Sequence, residues 1–148
     1  MLISLMIGCS TVLVTMIIQV IFVVMIVRYL LKVITHNEGK VRGLGFDIVV
    51  ISIILSVLFT GHLIQMAIWA MLFMKLGQFE SFLTAFYHSG VNFASLGYGD
   101  IVMSDRWRLL GALEAGAGVL MFGLSTSALF SVMIKLFAFH QKSHEPIK

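Results

Sequence analysis

Three apolar runs dominate this chain, and each is long enough to cross a lipid bilayer. They extend from Leu2 to Val27, from Ile48 to Met74 and from Leu109 to Phe139. A helix needs about 20 apolar residues to cross a hydrocarbon core of ~30 Å. Charged residues make up 11% of the sequence, far below the roughly 25% that is typical of soluble domains. The sequence therefore predicts an all-α integral membrane protein with three transmembrane helices.

The first apolar run differs from a secretory signal sequence. No basic residue precedes it, and it is much longer than the ~7–15 apolar residues of a signal peptide. We therefore interpret residues 1–33 as a retained N-terminal transmembrane helix. Residues 34–45 are polar, charged and rich in glycine, which predicts a connector between two helices.

The ten basic residues predict the orientation. Lysine and arginine are enriched on the cytoplasmic side of membrane proteins, so the side with more of them is expected to be the cytoplasmic one. This places the N-terminus outside a plasma (inner) membrane, and it places the connector and a short tail, residues 141–148, in the cytoplasm. The same bias accounts for the net charge of +3, so nucleic acid is not an expected partner. The residues counted inside are Arg28, Lys32, Lys40, Arg42, Lys135, Lys142 and Lys148, and those counted outside are Lys75, Arg106 and Arg108.

A fourth, shorter apolar segment extends from Phe79 to Ala94. At about 16 residues it is short for a membrane span and better suited to a re-entrant helix. It leads into Ser95-Leu96-Gly97-Tyr98-Gly99-Asp100, whose glycines can adopt positive φ at little cost and turn consecutive carbonyl groups to one side. Four such segments around an axis would form rings of carbonyl oxygens that replace the hydration shell of a cation.

The order of these elements resembles the pore module of the potassium channel family. The resemblance covers roughly Phe79 to Phe130 and includes the Gly-Tyr-Gly-Asp motif. It implies a homotetramer in the lipid bilayer that passively conducts potassium ions, with one selectivity-filter strand from each chain. Residues 46–140 would then form the pore domain, made of an outer helix, a pore helix, the filter and an inner helix. No enzymatic activity and no cofactor other than potassium ions in the filter are expected.

The resemblance also assigns roles to individual residues. The main-chain carbonyls of Ser95, Leu96, Gly97 and Tyr98 would bind potassium, and Gly97 and Gly99 would supply the backbone freedom. Asp100 would lie at the outer mouth. In the inner helix, Gly118 and Gly123 are candidate hinge positions, with plain helix packing as the alternative, and Thr126 would line the cavity.

Departures from the family pattern leave other functions open. Ala94 and Ser95 stand where the family usually has paired threonines, and Leu96 replaces a valine or isoleucine. A weakly selective cation channel is therefore one alternative, and a non-conducting accessory membrane subunit is another. An intramembrane enzyme that uses His62 or Glu114 lacks a recognisable nucleophile or metal-ligand spacing.

Glu114 is the least expected residue, because a carboxylate inside a span costs roughly 2.5–3.5 kcal/mol on insertion scales. We consider three environments for it. In the first, it hydrogen-bonds the polar residues His88, Ser89 and Asn92 of the short helix and supports the filter. In the second, it pairs with His62 and makes the pore pH-sensitive. In the third, it is a protonated carboxyl that the neighbouring backbone satisfies. His62 itself is interpreted as either a proton-sensing or ion-path residue or a helix-packing hydrogen bond.

Overall fold

The computed structural model describes the backbone of residues 2–36 and 44–143 and the side chains of residues 2–33 and 45–136. Within these residues the chain forms four helices: α1 (Leu2–His36), α2 (Leu44–Lys75), α3 (Phe82–Phe93) and α4 (Leu109–Ser143). Three of them, α1, α2 and α4, are long and apolar enough to cross a membrane. The predicted all-α fold with three candidate membrane spans is therefore confirmed.

The helix bounds differ from the predicted ones mainly at polar ends. Helix α1 continues past residue 33, its predicted end, to His36, and α2 begins at Leu44, so residues 34–36 and 44–45 of the predicted connector are helical. Helix α4 likewise includes residues 141–143 of the predicted tail. Adding a residue to an existing helix gains one hydrogen bond without a new nucleation cost, so the helices extend beyond their apolar runs. Residues 37–43 of the predicted connector and residues 144–148 of the predicted tail lie outside the described residues.

Helix α3 is shorter than the predicted segment and contains 12 residues. Ser81 at its N-cap has an extended backbone, with φ −108° and ψ 133°. Phe79, which was predicted to be helical, instead packs against Phe73 and His88 with ring centroids 6.3 and 4.9 Å apart. These aromatic contacts hold the chain in place before α3 begins.

The three long helices form a bundle in which α1 and α4 are parallel and α2 is antiparallel to both. Near one end of the bundle, Gly8 of α1 lies next to Leu110 of α4. Farther along, Gln19 of α1 donates a hydrogen bond to Ser125 of α4. At the other end, Ile26 and Leu30 of α1 pack in one core with α4. That core consists of Ile26, Leu30, Val50, Ile54, Leu58, Val132 and Leu136. A second core of Trp69, Phe73, Met103, Trp107 and Leu110 lies at the end that carries the N-terminus and α3. The N-terminus and the Ser95–Asp100 segment therefore share one side of the bundle, and which side faces the cytoplasm remains a prediction.

Polar side chains point into this bundle, while many large apolar side chains point out. The buried polar set includes Gln19, His62, Gln65, Ser89 and Glu114. Large apolar residues such as Leu13, Phe59 and Val119 are exposed on the outside. Lipid tails are as apolar as leucine, so helix association in a membrane depends on packing and interhelical hydrogen bonds rather than on burial of apolar surface. The buried polar residues are thus the places where the helices are joined specifically.

Candidate functional site

Helix α3 lies between α2 and α4, and its C-terminal end reaches the middle of both. The Phe93 ring lies 5.5 Å from the His62 ring of α2 and 5.4 Å from the Phe122 ring of α4, measured between centroids. Gly118 of α4 lies so close that a Cβ there would overlap the Phe93 carbonyl oxygen. A glycine at position 118 therefore permits the close approach of α4 to the end of α3, which favours the helix-packing interpretation of this residue.

The chain leaves α3 through a compact hydrogen-bonded turn. The Ser95 N–H donates to the Asn92 carbonyl at 2.8 Å, and the Leu96 N–H donates to the Val91 carbonyl at 2.9 Å. This pair of bonds, with a left-handed residue at the turn, is the Schellman motif. The left-handed position is Ser95, with φ 56°. Such a conformation costs a non-glycine residue about 1–2 kcal/mol, so it is held by the surrounding bonds.

Backbone φ angles alternate in sign along the segment that follows. Ser95, Gly97 and Gly99 have φ of 56°, 62° and 71°, while Leu96 and Tyr98 between them have negative φ. Successive residues that alternate between right- and left-handed conformations turn their N–H groups to one side, and the orientation of the carbonyl oxygens to the other side remains a prediction. The sequence anticipated positive φ at Gly97 and Gly99. It missed Ser95, for which the only signal was its position directly after a helix.

Residues 94–100 have little cover from their own chain. All seven are exposed, and Leu96 and Tyr98 are 52% and 65% exposed. A Cβ built on Gly97 or Gly99 would meet nothing within 4 Å, so these glycines are required by their φ angles rather than by lack of space. The segment is therefore shaped by its backbone and lies open on one side.

Hydrogen bonds anchor the far end of this segment. The Tyr87 hydroxyl of α3 donates to the Asp100 carboxylate at 2.8 Å. This bond raises the pKa of the Tyr87 phenol, because it stabilises the neutral form beside a negative charge. Farther along, Ser104 donates through its N–H and its hydroxyl to Gln78 Oε1, at 3.0 and 2.7 Å. Asp100, predicted at the outer mouth, is thus held next to α3.

Behind the segment lies a polar cluster of His88, Ser89, Asn92 and Glu114. We call it the Glu114 cluster. Glu114 Oε1 lies 2.5 Å from Ser89 Oγ, and Glu114 Oε2 accepts a bond from Asn92 Nδ2 at 3.3 Å. Asn92 Nδ2 is also 3.0 Å from His88 Nε2. His88, Asn92, Gly97 and Gly99 are among the residues that line a cavity of about 210 Å³. The predicted contact of Glu114 with the short helix is present, and support of a filter by these residues remains a prediction.

His62 belongs to a different cluster, so the alternative in which it pairs with Glu114 is wrong. Its Nε2 lies 3.1 Å from Ser125 Oγ, which also accepts a bond from Gln19 Nε2 at 2.8 Å. Gln65 Nε2 donates to Gln19 Oε1 at 2.7 Å. We call these four residues the His62 cluster. It joins α1, α2 and α4, as the helix-packing interpretation of His62 expected. The roles of Gln19 and Ser125 were missed, although Gln19 is the one amide in the first apolar run.

The other inner-helix candidates lie on exposed parts of α4. The helix is continuous through Gly123 and Thr126. A Cβ at Gly123 would meet nothing within 4 Å, and the Thr126 hydroxyl donates to the Phe122 carbonyl of the same helix at 2.8 Å. A hinge at Gly118 or Gly123 and a cavity-lining role for Thr126 therefore remain predictions.

Comparison with known proteins agrees with this arrangement. A family model described as an ion channel matches residues 52–135, which include most of α2, all of α3 and most of α4. No curated protein and no solved structure matches the chain. The match covers more than half of the 148 residues and supports a membrane channel rather than an enzyme. The chain therefore belongs to the ion channel family.

Proposed function

We propose that this chain is one subunit of a homotetrameric potassium channel, with Ser95–Gly99 as the selectivity filter. The observation that carries the proposal is the alternating sign of φ along these five residues, directly after a half-length helix. In this channel α3 is the re-entrant pore helix, α2 the outer helix and α4 the inner helix. The carbonyls of Ser95, Leu96, Gly97 and Tyr98 replace the hydration shell of potassium, and Asp100 concentrates cations at the mouth.

The exposure of the filter segment supports assembly from several copies. Irregular backbone at membrane depth is tolerated only where protein buries it or where it lines a water-filled path. In one chain residues 94–100 are all exposed, so neighbouring copies and the pore itself must supply the cover. A closed ring of identical subunits does this with one strand from each. Four strands around the axis form the carbonyl rings.

The pore helix contributes a second electrostatic element. The C-terminal end of a helix carries a partial negative charge of about half an elementary charge. Helix α3 ends at Phe93, near the middle of α2 and α4. In a tetramer, four such ends would face a central cavity and stabilise a cation there before it enters the filter.

Reversal potentials of the purified protein in liposomes test this function. Between solutions of unequal potassium and sodium, the current should reverse near the potassium equilibrium potential. Reversal near zero would instead show a weakly selective cation channel. Absence of flux for every cation would favour the non-conducting accessory subunit.

Two glycine variants test the filter assignment. Gly97→Ala should abolish potassium flux, because alanine disfavours the φ of 62° found there. Gly77→Ala is the matched control, since Gly77 also has positive φ, at 67°, and also has nothing within 4 Å of a Cβ. It lies outside the filter and should retain flux. Equal loss in both variants would contradict the assignment.

A further inference from the structure

Ser89 sits within hydrogen-bonding distance of two oxygen acceptors. Its Oγ lies 2.9 Å from the Met66 carbonyl oxygen of α2 and 2.5 Å from Glu114 Oε1 of α4. A serine hydroxyl has one proton to donate. If Glu114 were ionised, one of these two short contacts would join two oxygens without a proton between them, which is repulsive.

The surroundings of Glu114 also disfavour a charge. The residue has no exposed surface, and within the described residues its bonds are to Ser89 and Asn92, with no lysine or arginine paired to it. Removing a carboxylate from water without a paired cation costs several kcal/mol. Two neutral partners do not replace the hydration of that charge.

We propose that Glu114 carries a proton and donates it to Ser89, so that a continuous hydrogen-bond chain, in which Asn92 donates at both ends of its amide, supports the filter from behind. Glu114 Oε1–H donates to Ser89 Oγ, and Ser89 donates its own proton to the Met66 carbonyl. The Asn92 amide has two protons, of which one is donated to Glu114 Oε2 and the other to His88 Nε2. Every donor then has one acceptor.

The same chain assigns the tautomer of His88. Its Nε2 accepts from Asn92, so the ring proton is on Nδ1, and the backbone of Ile101 lies in hydrogen-bonding contact with this ring. Ile101 directly follows the filter segment. The chain therefore connects Met66 of α2, through Glu114 and α3, to the backbone just beyond Asp100. Glu114 is a positioning residue that acts through Asn92 and His88. This role rests on the proposed function, whereas the protonated state does not.

Infrared spectroscopy tests the protonated state without any measurement of flux. At neutral pH the wild-type protein should show the C=O stretch of a protonated carboxylic acid, with the shift in D₂O expected of that group. The band should disappear in Glu114→Gln and persist in Glu80→Gln, the matched control, because Glu80 is exposed. Absence of the band in the wild type, or its persistence in Glu114→Gln, would overturn the proposal.

Potassium flux then tests the positioning role. Glutamine keeps a donor and an acceptor in the same places, so Glu114→Gln should conduct within about twofold of the wild type. Glu114→Leu removes both groups and should lower flux or potassium preference about tenfold or more while the tetramer still forms. If Glu114→Gln is as impaired as Glu114→Leu, an ionised carboxylate is required and the proposal fails. If the wild type conducts nothing, the proposed function fails while the infrared result still stands.

Discussion

Two buried polar clusters join α2 to α4, and they differ in how completely their hydrogen bonds are satisfied. In the Glu114 cluster, none of the side-chain atoms is buried without a partner. In the His62 cluster, the described structure leaves two buried atoms, His62 Nδ1 and Gln65 Oε1, without one. Fully satisfied networks in a low-dielectric interior rigidify it and specify one arrangement, whereas each unpaired buried polar group is costly.

The two clusters also differ in which parts of the chain they contact. The Glu114 cluster lies beside α3 and behind the Ser95–Asp100 segment, which is the selectivity filter in the proposed function. The His62 cluster attaches α1, and α1 lies outside the residues that the ion channel model matches. Gly61 makes room for this attachment, since a Cβ there would meet Gln19 Oε1 at 2.8 Å. The Glu114 cluster is thus the fully satisfied one and lies next to the proposed filter, whereas the cluster that attaches α1 contains the two unpartnered atoms.

The largest effect is expected at Gly118, which lies between the two clusters on α4. A Cβ there would overlap the Phe93 carbonyl, so Gly118→Ala must displace the end of α3 that precedes the proposed filter. Overpacking costs typically 1–3 kcal/mol, and the potassium flux of the proposed channel should be lost. Thermal unfolding and liposome flux measure both. Gly116→Ala on the same helix is the control, because nothing lies within 4 Å of a Cβ there; equal behaviour of the two variants would contradict the packing role.

The second prediction compares the clusters directly through Glu114→Leu and Gln19→Leu. Glu114→Leu leaves an Asn92 proton without an acceptor and should cost about 2 kcal/mol, in the range for an unsatisfied buried group. Gln19→Leu should cost less, about 0.6 kcal/mol, which is the average for an interhelical bond in a membrane protein. Gln65 would keep its bond to the Gly61 carbonyl, and Ser125 would keep His62.

Denaturation in detergent measures this difference in stability. Thr15→Val is the control for α1, because Thr15 is buried but bonds only carbonyls of its own helix, those of Thr11 and Val12. It should leave the attachment of α1 unchanged. If Gln19→Leu destabilises the protein as much as Glu114→Leu, the proposed difference between the clusters is wrong.

A smaller effect is expected when each histidine is replaced by leucine. His62 has one unpartnered nitrogen and packs against Phe93 and Phe122, so His62→Leu should change the unfolding free energy by less than about 1 kcal/mol. His88→Leu should cost more, because Asn92 and the Ile101 backbone both lose a partner. The unfolding free energies of the two variants, measured under the same conditions, test this order. A larger loss in His62→Leu than in His88→Leu would contradict the proposed difference between the clusters.

The smallest effect is expected outside both clusters, at Tyr87. Its phenol donates to the Asp100 carboxylate, and this bond raises the Tyr87 pKa. The neutral phenol therefore persists to higher pH than in an ordinary tyrosine. Asp100→Asn should lower this pKa. Ultraviolet titration measures it, after the titration curve of the Tyr87→Phe variant is subtracted to isolate the signal of Tyr87. No change in the titration would show that the bond to Asp100 does not form.

Sequence length and polarity determined the large features of this protein. Three apolar runs, a half-length segment and two glycines around Tyr98 were enough to predict three spanning helices, α3 and the positive φ of Gly97 and Gly99. Glu114 could also be singled out, because a carboxylate inside a span needs a partner. These inferences depend on composition and on local backbone preference.

Only the tertiary structure decided which polar residues meet. The spanning helices carry exposed apolar side chains on several sides, so helical periodicity does not indicate which faces touch. Glu114 therefore had two plausible partners in the sequence, and packing selected Ser89 and Asn92 of α3 over His62 of α2. Likewise, Ser95 adopts positive φ because two backbone bonds at the end of α3 hold it there, and its own side chain does not favour that conformation.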